Sequence, residues 1–484
     1  MNKLQTGTPG RGGFFSLFDL DETKFDADVL QRLAEAMDSA AIVGISNCDS
    51  GYVYLGQFIT HDITERGSLP AGEFVPASEL VQLRTPALDL DNVYGDGFHD
   101  AKVAVDKNTG KMLLGRVVDS KNEPGSYDDL PRNGLKALIA DKRDDENLLI
   151  AQLHVQFLKL HNLFVDRIGK KMPGLEPREL FDEARRNLIL CYQDVVLYDY
   201  LPAVLDHEVW KRVIRNKKAT LWQPIRTETA RMPIEFAAAA FRFGHAMVRP
   251  SYAINDRAST TANDLFLMTG DQRFGGRPAL PDTHIVDWRL FFAGLCTEEK
   301  LPGNPNKALR IDPTVGVSVD VPGQGKFLLA ERDLSTGNFS MLPNAQDIVR
   351  HLRATYPAFA GLEMLNDEEL NPEGLLLHLH GLTKKTPLFY YVLCEAYARQ
   401  RGDRLGPLGS LIVAETLRAL IYLSSPSVLH KGDKVLPGIG VRATGADIGG
   451  RRRFRMIDLL KAVGPQRRQY KAAPSSVQPL AAAA

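Results

Sequence analysis

The sequence predicts a mainly α-helical protein folded as a single large domain, and three observations carry that expectation. Helical periodicity with good helix formers runs through five long stretches, strand signals are few and short, and no low-complexity linker cuts the middle of the chain. At 484 residues, 44% hydrophobic and 24% charged, the chain could hold one large helical domain or two or three ordinary ones. The unbroken middle favours one.

Taken in order, "DADVLQRLAEAMDSA" (26–40) is the first stretch with apolar residues at helical spacing. "GQFITHDIT" (56–64) is apolar yet carries a glutamine, a histidine and an aspartate. In a helix Gln57 and His61 share a face, while Asp62 is turned by about 100° from His61. Two faces would then serve two purposes. "NLLIAQLHVQFLKLHNLFVDRIG" (147–169), "PRELFDEARRNLILCYQDVVLYDYL" (177–201), "PIEFAAAAFRFGHAMV" (233–248) and "LGSLIVAETLRALIYL" (408–423) are the remaining helices. Residues 302–345 are rich in Pro and Gly, with only fragments such as "VGVSVDV" able to pair, and read as a long wrapped excursion. No internal repeat is visible.

Lys plus Arg equals Asp plus Glu at 59 each, so no overall field favours nucleic acid or an anionic membrane. The local exception is "RRRFRM" (451–456) followed by "RRQYK" (467–471), which reads as a solvated basic tail rather than a binding arm. "MNKLQTGTPGRGG" lacks the apolar core of a signal peptide, and no run approaches the ~18 apolar residues of a membrane helix. Cytoplasmic is therefore the expected location, with leaderless export left open. Cys48, Cys191, Cys296 and Cys394 have no CxxC spacing, which argues against a disulfide framework and a structural zinc site; they read as core thiols.

Four stretches hold residues with chemistry. In "RTPALDLDNVYG" (84–95), Thr85, the Ala87 carbonyl, Asp89 and Asp91 alternate, so in an extended loop all four face one side and, with Asp62, converge on one cation. An all-oxygen set implies a hard ion, and three carboxylates suit Ca²⁺ better than Mg²⁺. The plainer reading is a turn held by Asp side chains. In "DKRDDENLLIAQLH" (141–154), Arg143 and Glu146 are three apart at a helix start, placed either for a shared site or for an ordinary surface pair. In "AFRFGHAMVRP" (240–250), His245 lies in an apolar helix three residues after Arg242, as a ligand or as a satisfied core histidine.

Together, "GQFxxHD", "RTPxLDLDxVYG", "RxxEN" and "FRxGH", with "LAERDLSTGNFSMLPNAQ" (329–346) as a fifth segment, resemble the bacterial branch of the animal-type haem peroxidases, the peroxidase–cyclooxygenase superfamily. The likeness runs from about "GGFFSLF" to "VLHKGD". It implies a helical domain with a central haem pocket at 41–460, an N-terminal extension (1–40) wrapping that domain and a basic, disordered tail (461–484). It further implies haem b, Ca²⁺, hydrogen peroxide as substrate and a small organic donor or halide as reductant. His61 matches the distal base; an imidazole titrating at about 6.5 can take a proton from one peroxide oxygen and return it to the other. Arg143 matches the distal arginine that stabilises charge as the O–O bond breaks, and Gln57 the residue that holds water or halide. His245 matches the iron ligand, with Arg242 among the haem contacts.

Three departures from that pattern matter. Asp333 stands where the family usually has the Asn that accepts from the proximal imidazole; Asn338 is available but out of register, and Asp333 is the expected partner. A carboxylate there implies a more imidazolate-like ligand and a lower iron potential. Thr336 replaces a common arginine, which removes one propionate contact. Thr60 replaces an Asp able to form an ester to the haem, so at most one ester, through Glu146, is expected.

The competing readings are a fatty-acid or small-metabolite oxygenase of the same superfamily and a catalytically silent helical binding protein. The oxygenases carry a tyrosine three residues before the proximal histidine, where this chain has Arg242; Tyr198, Tyr200 and Tyr252 leave other radical positions. A zinc hydrolase using His378 and His380, or His154 and His161, lacks HExxH spacing, and "FAGLCTE" around Cys296 lacks a thiolate-ligand pattern. His154 reads as a core position and His161 as a buried hydrogen-bonding residue.

Overall fold

The computed structural model describes residues 13–39, 44–67, 73–119, 121, 123–215, 221, 231–295, 305–322, 325–376 and 379–464. Helices α1 (Ala27–Ser39), α2 (Gly51–Ile63), α3 (Asp91–Tyr94), α4 (Leu148–Lys171), α5 (Pro177–Val195), α6 (Leu201–Val204), α7 (His207–Arg215), α8 (Ile234–Ala238), α9 (Leu329–Phe339), α10 (Ala345–Thr355), α11 (Leu388–Gln400), α12 (Pro407–Leu423) and α13 (Met456–Ala462) carry the fold. Among the described residues, strands β1 (Phe14–Phe15), β2 (Ile45–Asp49), β3 (Arg132–Asn133), β4 (Lys136–Ala137), β5 (Met232–Pro233), β6 (Ser251–Ala253), β7 (Ser259–Thr261), β8 (Lys307–Leu309), β9 (Ser318–Val321) and β10 (Gly325–Leu328) pair in twos. The protein is mainly α, as the periodicity predicts.

The centre is α4. Asn147 caps it by accepting from Ile150 N at 3.1 Å, and Lys170 and Lys171 stand in its last turn, where carbonyl groups favour cations. It alone among the described helices has the length and hydropathy of a membrane span, but 83% of its most apolar window is buried inside the protein. Phe58 of α2 stacks on Phe157 of α4, centroids 4.5 Å apart, and Tyr192 of α5 meets both rings edge-on. Phe58→Ala would cost on the order of 3–5 kcal/mol, because a packed ring leaves a cavity behind. That contact anchors one face of α2 and leaves the face with Gln57 and His61 to a cavity.

Helix α5 starts with Pro177 and a Glu176–Glu179 capping box, then passes through a π turn, Val196–Tyr200, into α6. The wide turn places Asp199 within 3.0 Å of the Tyr52 hydroxyl and sets Tyr200 against the cavity.

The chain before α1 is tied to the opposite wall. β1 runs parallel to β5, Leu17 N donates to Glu235 Oε2 at 3.0 Å, and Phe25 exchanges backbone hydrogen bonds with the Asn338 amide. α1 packs against α9.

Several local expectations are corrected. The stretch 233–248 is not one helix: α8 stops at Ala238, Ala239 takes φ −143° and ψ −72°, and a 3₁₀ run covers Ala240–Met247. Arg242 Nε takes up the Ala237 carbonyl at 3.0 Å, which an α-helix would have used for its own ladder. The excursion beginning at 302 ends in α9, whose Ser335, Thr336 and Gly337 are weak helix formers and hid it from the periodicity. "VGVSVDV" does pair, as β9 against β10. Residues 84–95 are not an extended loop: Leu90 sits at φ 59° and Asp91 opens α3, which breaks the alternation on which convergence of Thr85, Ala87, Asp89 and Asp91 was argued. "RRRFRM" is folded and not a solvated tail, for Arg451 Nη2 and Arg453 Nη1 bond Asp194 Oδ1 at 2.8 and 3.1 Å. "RRQYK", Cys296 and His378 lie outside the described residues, whereas Cys48, Cys191 and Cys394 are buried free thiols.

Candidate active site

A cavity of about 490 Å³ opens between α2, the Arg143–Glu146 turn, the 240–247 run and α9. His61 and His245, far apart in sequence, both line it. So do Gln57, Arg143, Glu146 and Arg242. Its size lies in the range of small-molecule and cofactor pockets, and most of its wall is apolar, with Val53, Phe241, Phe243, Val319 and Phe327 among the lining residues.

On one side His61 is buried, and its Nδ1 lies 2.7 Å from Asp144 Oδ1. A carboxylate accepts, so Nδ1 carries the proton and Nε2 keeps a lone pair toward the cavity. The other Asp144 oxygen takes His154 Nδ1 at 2.7 Å and Asn92 Nδ2 at 2.8 Å. Burial alone would raise the Asp144 carboxyl, but hydrogen bonds from His154 and then His61 hold it below its usual range. His154 is therefore more than a core filler. Its Nε2 is buried without a partner among the described residues. His161 behaves as expected, fully buried between the Tyr94 hydroxyl and Gly110 O, each at 3.0 Å.

Arg143 is gripped by Asp141, with Nε and Nη2 at 3.0 and 2.5 Å, and Nη2 also donates to His61 O at 3.1 Å. Despite burial, those bonds hold the Asp141 carboxyl far below its usual range. Gln57 Nε2 donates to Glu146 Oε1 at 2.5 Å, and Glu146 Oε1 lies 3.9 Å from His61 Nε2. Thr60 turns back on its own helix, donating to Gly56 O at 3.0 Å.

On the other side His245 Nδ1 meets Asp333 Oδ2 at 2.5 Å, as the sequence led one to expect, while Asn338 is spent on Phe25. Arg242 Nη1 bonds the second Asp333 oxygen at 2.7 Å. Burial would raise Asp333, yet His245 and then Arg242 draw it down to about 2. With Nδ1 protonated, His245 Nε2 is the basic nitrogen, and Arg332 Nη2 donates to it at 3.2 Å. Ligation of a metal there requires Arg332 to give up that contact. Thr336 lines the cavity with its hydroxyl turned to Arg332 O at 2.7 Å. Arg66 lines the cavity near Ser340 Oγ, with no carboxylate partner among the described residues.

Behind His61, Asp62 Oδ1 accepts from Asp91 N at 2.7 Å, while its Oδ2 is buried near the Tyr192 hydroxyl without a hydrogen-bond partner among the described residues. Thr85 Oγ1 donates to Asp89 Oδ1 at 3.1 Å. Burial first, then Asp91, pushes Asp89 up to about 7, and burial followed by Asp89 raises Asp62 well above its usual range. Three carboxylates crowd one region, yet among the described residues no three His, Cys, Asp or Glu side chains are arranged to hold a metal ion as they stand. Arg84 joins this region to the first, bonding Asp91, Asp141 and Glu65.

Asp141, Asp144, Arg66 and Arg332 escaped the sequence reading. "RDDEN" held a signal: its adjacent acids face different ways, Asp144 to the histidines and Asp145 to Arg132.

Residues 66–275 match the family model described as animal haem peroxidase. The chain is 31% identical over 212 residues to a dual oxidase of Drosophila melanogaster, covering 42% of this chain and 12% of that protein. It is 24% identical over 366 residues to heme peroxidase 2 of Caenorhabditis elegans, covering 69% and 46%. The chain thus spans less than half the length of either relative. Among solved structures, peroxidase A from Dictyostelium discoideum superposes with a TM-score of 0.54 at 15% identity, over 86% of this chain and 88% of that one. A fatty acid alpha-dioxygenase of Oryza sativa gives 0.59 at 12%, over 86% and 81%. These structural likenesses concern the fold.

Proposed function

Because the chain belongs to the animal-type haem peroxidase superfamily, we propose that it is a haem-dependent peroxidase, of the superfamily's bacterial branch, that reduces hydrogen peroxide and oxidises small organic donors or halides. The observation that carries this reading is the single cavity lined by both His61 and His245, each with its Nδ1 on a buried carboxylate.

The cavity suits haem b. Apolar walls would take the macrocycle, His245 Nε2 already carries the lone pair a metal needs, and Arg66, Arg242 and Arg332 would take the two propionates. Arg66 supplies a cation that Thr336 cannot. When bound, haem would supply the two electrons that reduce the peroxide and would recover them from the donor. The protein's own residues do the rest. His61 Nε2 takes the proton from the inner peroxide oxygen and returns it to the outer one, so that water leaves rather than hydroxide. Asp144 fixes the imidazole in the tautomer that can do this. Arg143, held in place by Asp141, sets positive charge beside the breaking bond. Arg242, where the oxygenases have tyrosine, is committed to Asp333 and Ala237 O, which favours the peroxidase over the oxygenase.

Ca²⁺ is the second expected ion. Asp62 Oδ2, Asp89, Asp91, Thr85 Oγ1 and the Ala87 carbonyl would close on it, which would relieve the mutual repulsion of the carboxylates. Thr60 cannot form an ester to haem, so at most one ester link, through Glu146, would hold it.

Absorption spectroscopy of the purified protein tests the reading. A Soret band is expected, with peroxide consumption driven by a phenol; a haem-free protein, or one that turns over a fatty acid with O₂ but no phenol with peroxide, would sink it.

A further inference from the structure

Resting on the peroxidase reading, we propose that Tyr52 is a redox-active residue: it gives one electron to the haem that peroxide has oxidised while its phenolic proton passes to Asp199, and so it holds one oxidising equivalent on the protein. The mechanism above uses neither group.

A single hydrogen bond separates Tyr52 from the other phenols of the site. Tyr52 lines the cavity from α2, and its hydroxyl donates at 3.0 Å to Asp199 Oδ1, on the π turn that follows α5. Loss of an electron makes a phenol strongly acidic, so a tyrosine yields that electron readily where a base stands ready for the proton. Three tyrosines among the described residues line the cavity. Tyr54 is turned to the phenol of Tyr252, a poor proton acceptor, and the Tyr200 hydroxyl presses on α2 at Gly56, where a Cβ would come within 2.6 Å of it. Of the three, Tyr52 is the one bonded to a carboxylate.

Asp199 is suited to take the proton. Its second oxygen accepts from Met456 N at 2.8 Å, and among the described residues no arginine or lysine pairs with it within 4.0 Å, so its charge is not already matched. Burial raises its carboxyl to about 6 against the opposing bonds from Met456 and Tyr52, which makes it a stronger base than an ordinary carboxylate and leaves it ionised at neutral pH. Burial first, then Asp199, holds the Tyr52 phenol above its usual range, so it stays neutral until it is oxidised. The pair is fixed by packing of the chain itself: Gly51 N bonds Phe291 O at 2.9 Å where α2 begins, and Phe292 meets the Tyr52 ring edge-on, centroids 5.2 Å apart.

Tyr52 precedes His61 by two and a half turns of α2, on the order of 14 Å along the axis at 1.5 Å per residue. The radical therefore forms away from the imidazole that handles peroxide. The electrons balance as follows: hydrogen peroxide takes two from haem, Tyr52 returns one, and the products are a phenoxyl radical and protonated Asp199. A one-electron donor then reduces the radical, and Asp199 hands the proton back.

The test is freeze-quench electron paramagnetic resonance of the haem-loaded protein mixed with one equivalent of hydrogen peroxide and no donor. The wild type should show an organic radical whose lines narrow when its tyrosines are ring-deuterated. Tyr52→Phe, which keeps the ring against Phe292, should lose that signal, and Tyr200→Phe should keep it. Asp199→Asn should form it at least ~10²-fold more slowly, the usual loss with a general base. A peroxide-treated wild type with no radical, a radical indifferent to deuteration, the same signal in Tyr52→Phe, or an undiminished rate in Asp199→Asn would overturn the proposal. The deuteration readout needs no substitution and so holds even where a variant fails to fold. A wild type with no Soret band, or one that leaves peroxide unconsumed, defeats the peroxidase reading itself, a result distinct from all of these.

Discussion

On the His61 side of the cavity the buried carboxylate of Asp144 serves two imidazoles and an amide, with no arginine or lysine bonded to it among the described residues; on the His245 side Asp333 serves one imidazole and the guanidinium of Arg242, with Arg332 Nε at 3.7 Å. The two dyads look alike from the histidine and differ behind it. A carboxylate already matched by arginine has less charge to share with its imidazole. Asp333 therefore positions His245 more than it enriches it, and the low iron potential expected from a carboxylate is partly offset by Arg242. Asp144 carries no such counterweight, and its hold on His61 is undiluted.

Substitutions can separate the two sides. The largest effect falls on the histidines: His61→Leu should retain haem but slow the reaction with peroxide at least ~10²-fold in stopped-flow, the usual loss with a general base, whereas His245→Ala should lose the Soret band on gel filtration. Equal rates in wild type and His61→Leu would remove His61 from the chemistry. Next comes the carboxylate behind the base. Asp144→Asn should slow the peroxide step by roughly 10–100-fold, the range seen when the partner of a working imidazole is lost, with the iron potential unmoved. A shifted potential would mean that the two sides are not independent. Smaller again, Asp333→Asn should raise the reduction potential and Arg242→Gln lower it, each by on the order of 60 mV or less, about a tenfold change in the relative stability of the two oxidation states. Spectroelectrochemistry decides it: an unaltered potential in Arg242→Gln would show that the guanidinium offsets nothing.

Much of this contrast was legible in the sequence, and the missing part has a physical cause. α4 and α12 were readable because their apolar residues recur at 3.6 spacing and Asn147 and Pro407 mark their starts. His61, Arg143, His245 and Asp333 stood in motifs whose order resembles a family. Asp144 and Asp141 did not, since an acid beside an arginine near a helix start is most simply a local ion pair. Their role depends on which imidazole or guanidinium the fold brings against them, a long-range fact that local spacing does not encode. The break at Ala239 was hidden for the same reason: a run of alanines favours helix, and the override comes from Arg242 reaching Asp333 on α9.

The smallest predicted effect, on stability, concerns the carboxylates behind His61, which have no counterpart on the His245 side. Asp89 is raised from its ordinary 3.8 to about 7 and Asp62 is raised as well, so without an ion the folded state binds protons that the unfolded chain has released. The sign follows from linkage: ion-free stability is greatest below about pH 4 as far as these groups are concerned, falls as pH rises, and is lowest above about 7. Bound Ca²⁺ reverses the trend, because it takes the ionised carboxylates, so its stabilisation grows over the same window. With EGTA present, Tm should decline between pH 4 and 7 by on the order of 1–2 °C relative to the protein with calcium. Because Asp62 adjoins His61, chelation should also slow the peroxide step before it changes the spectrum set by His245. A chelated protein with undiminished peroxide rate and a flat Tm difference across that window would mean that Asp62, Asp89 and Asp91 hold no ion, and that the His61 side stands without one.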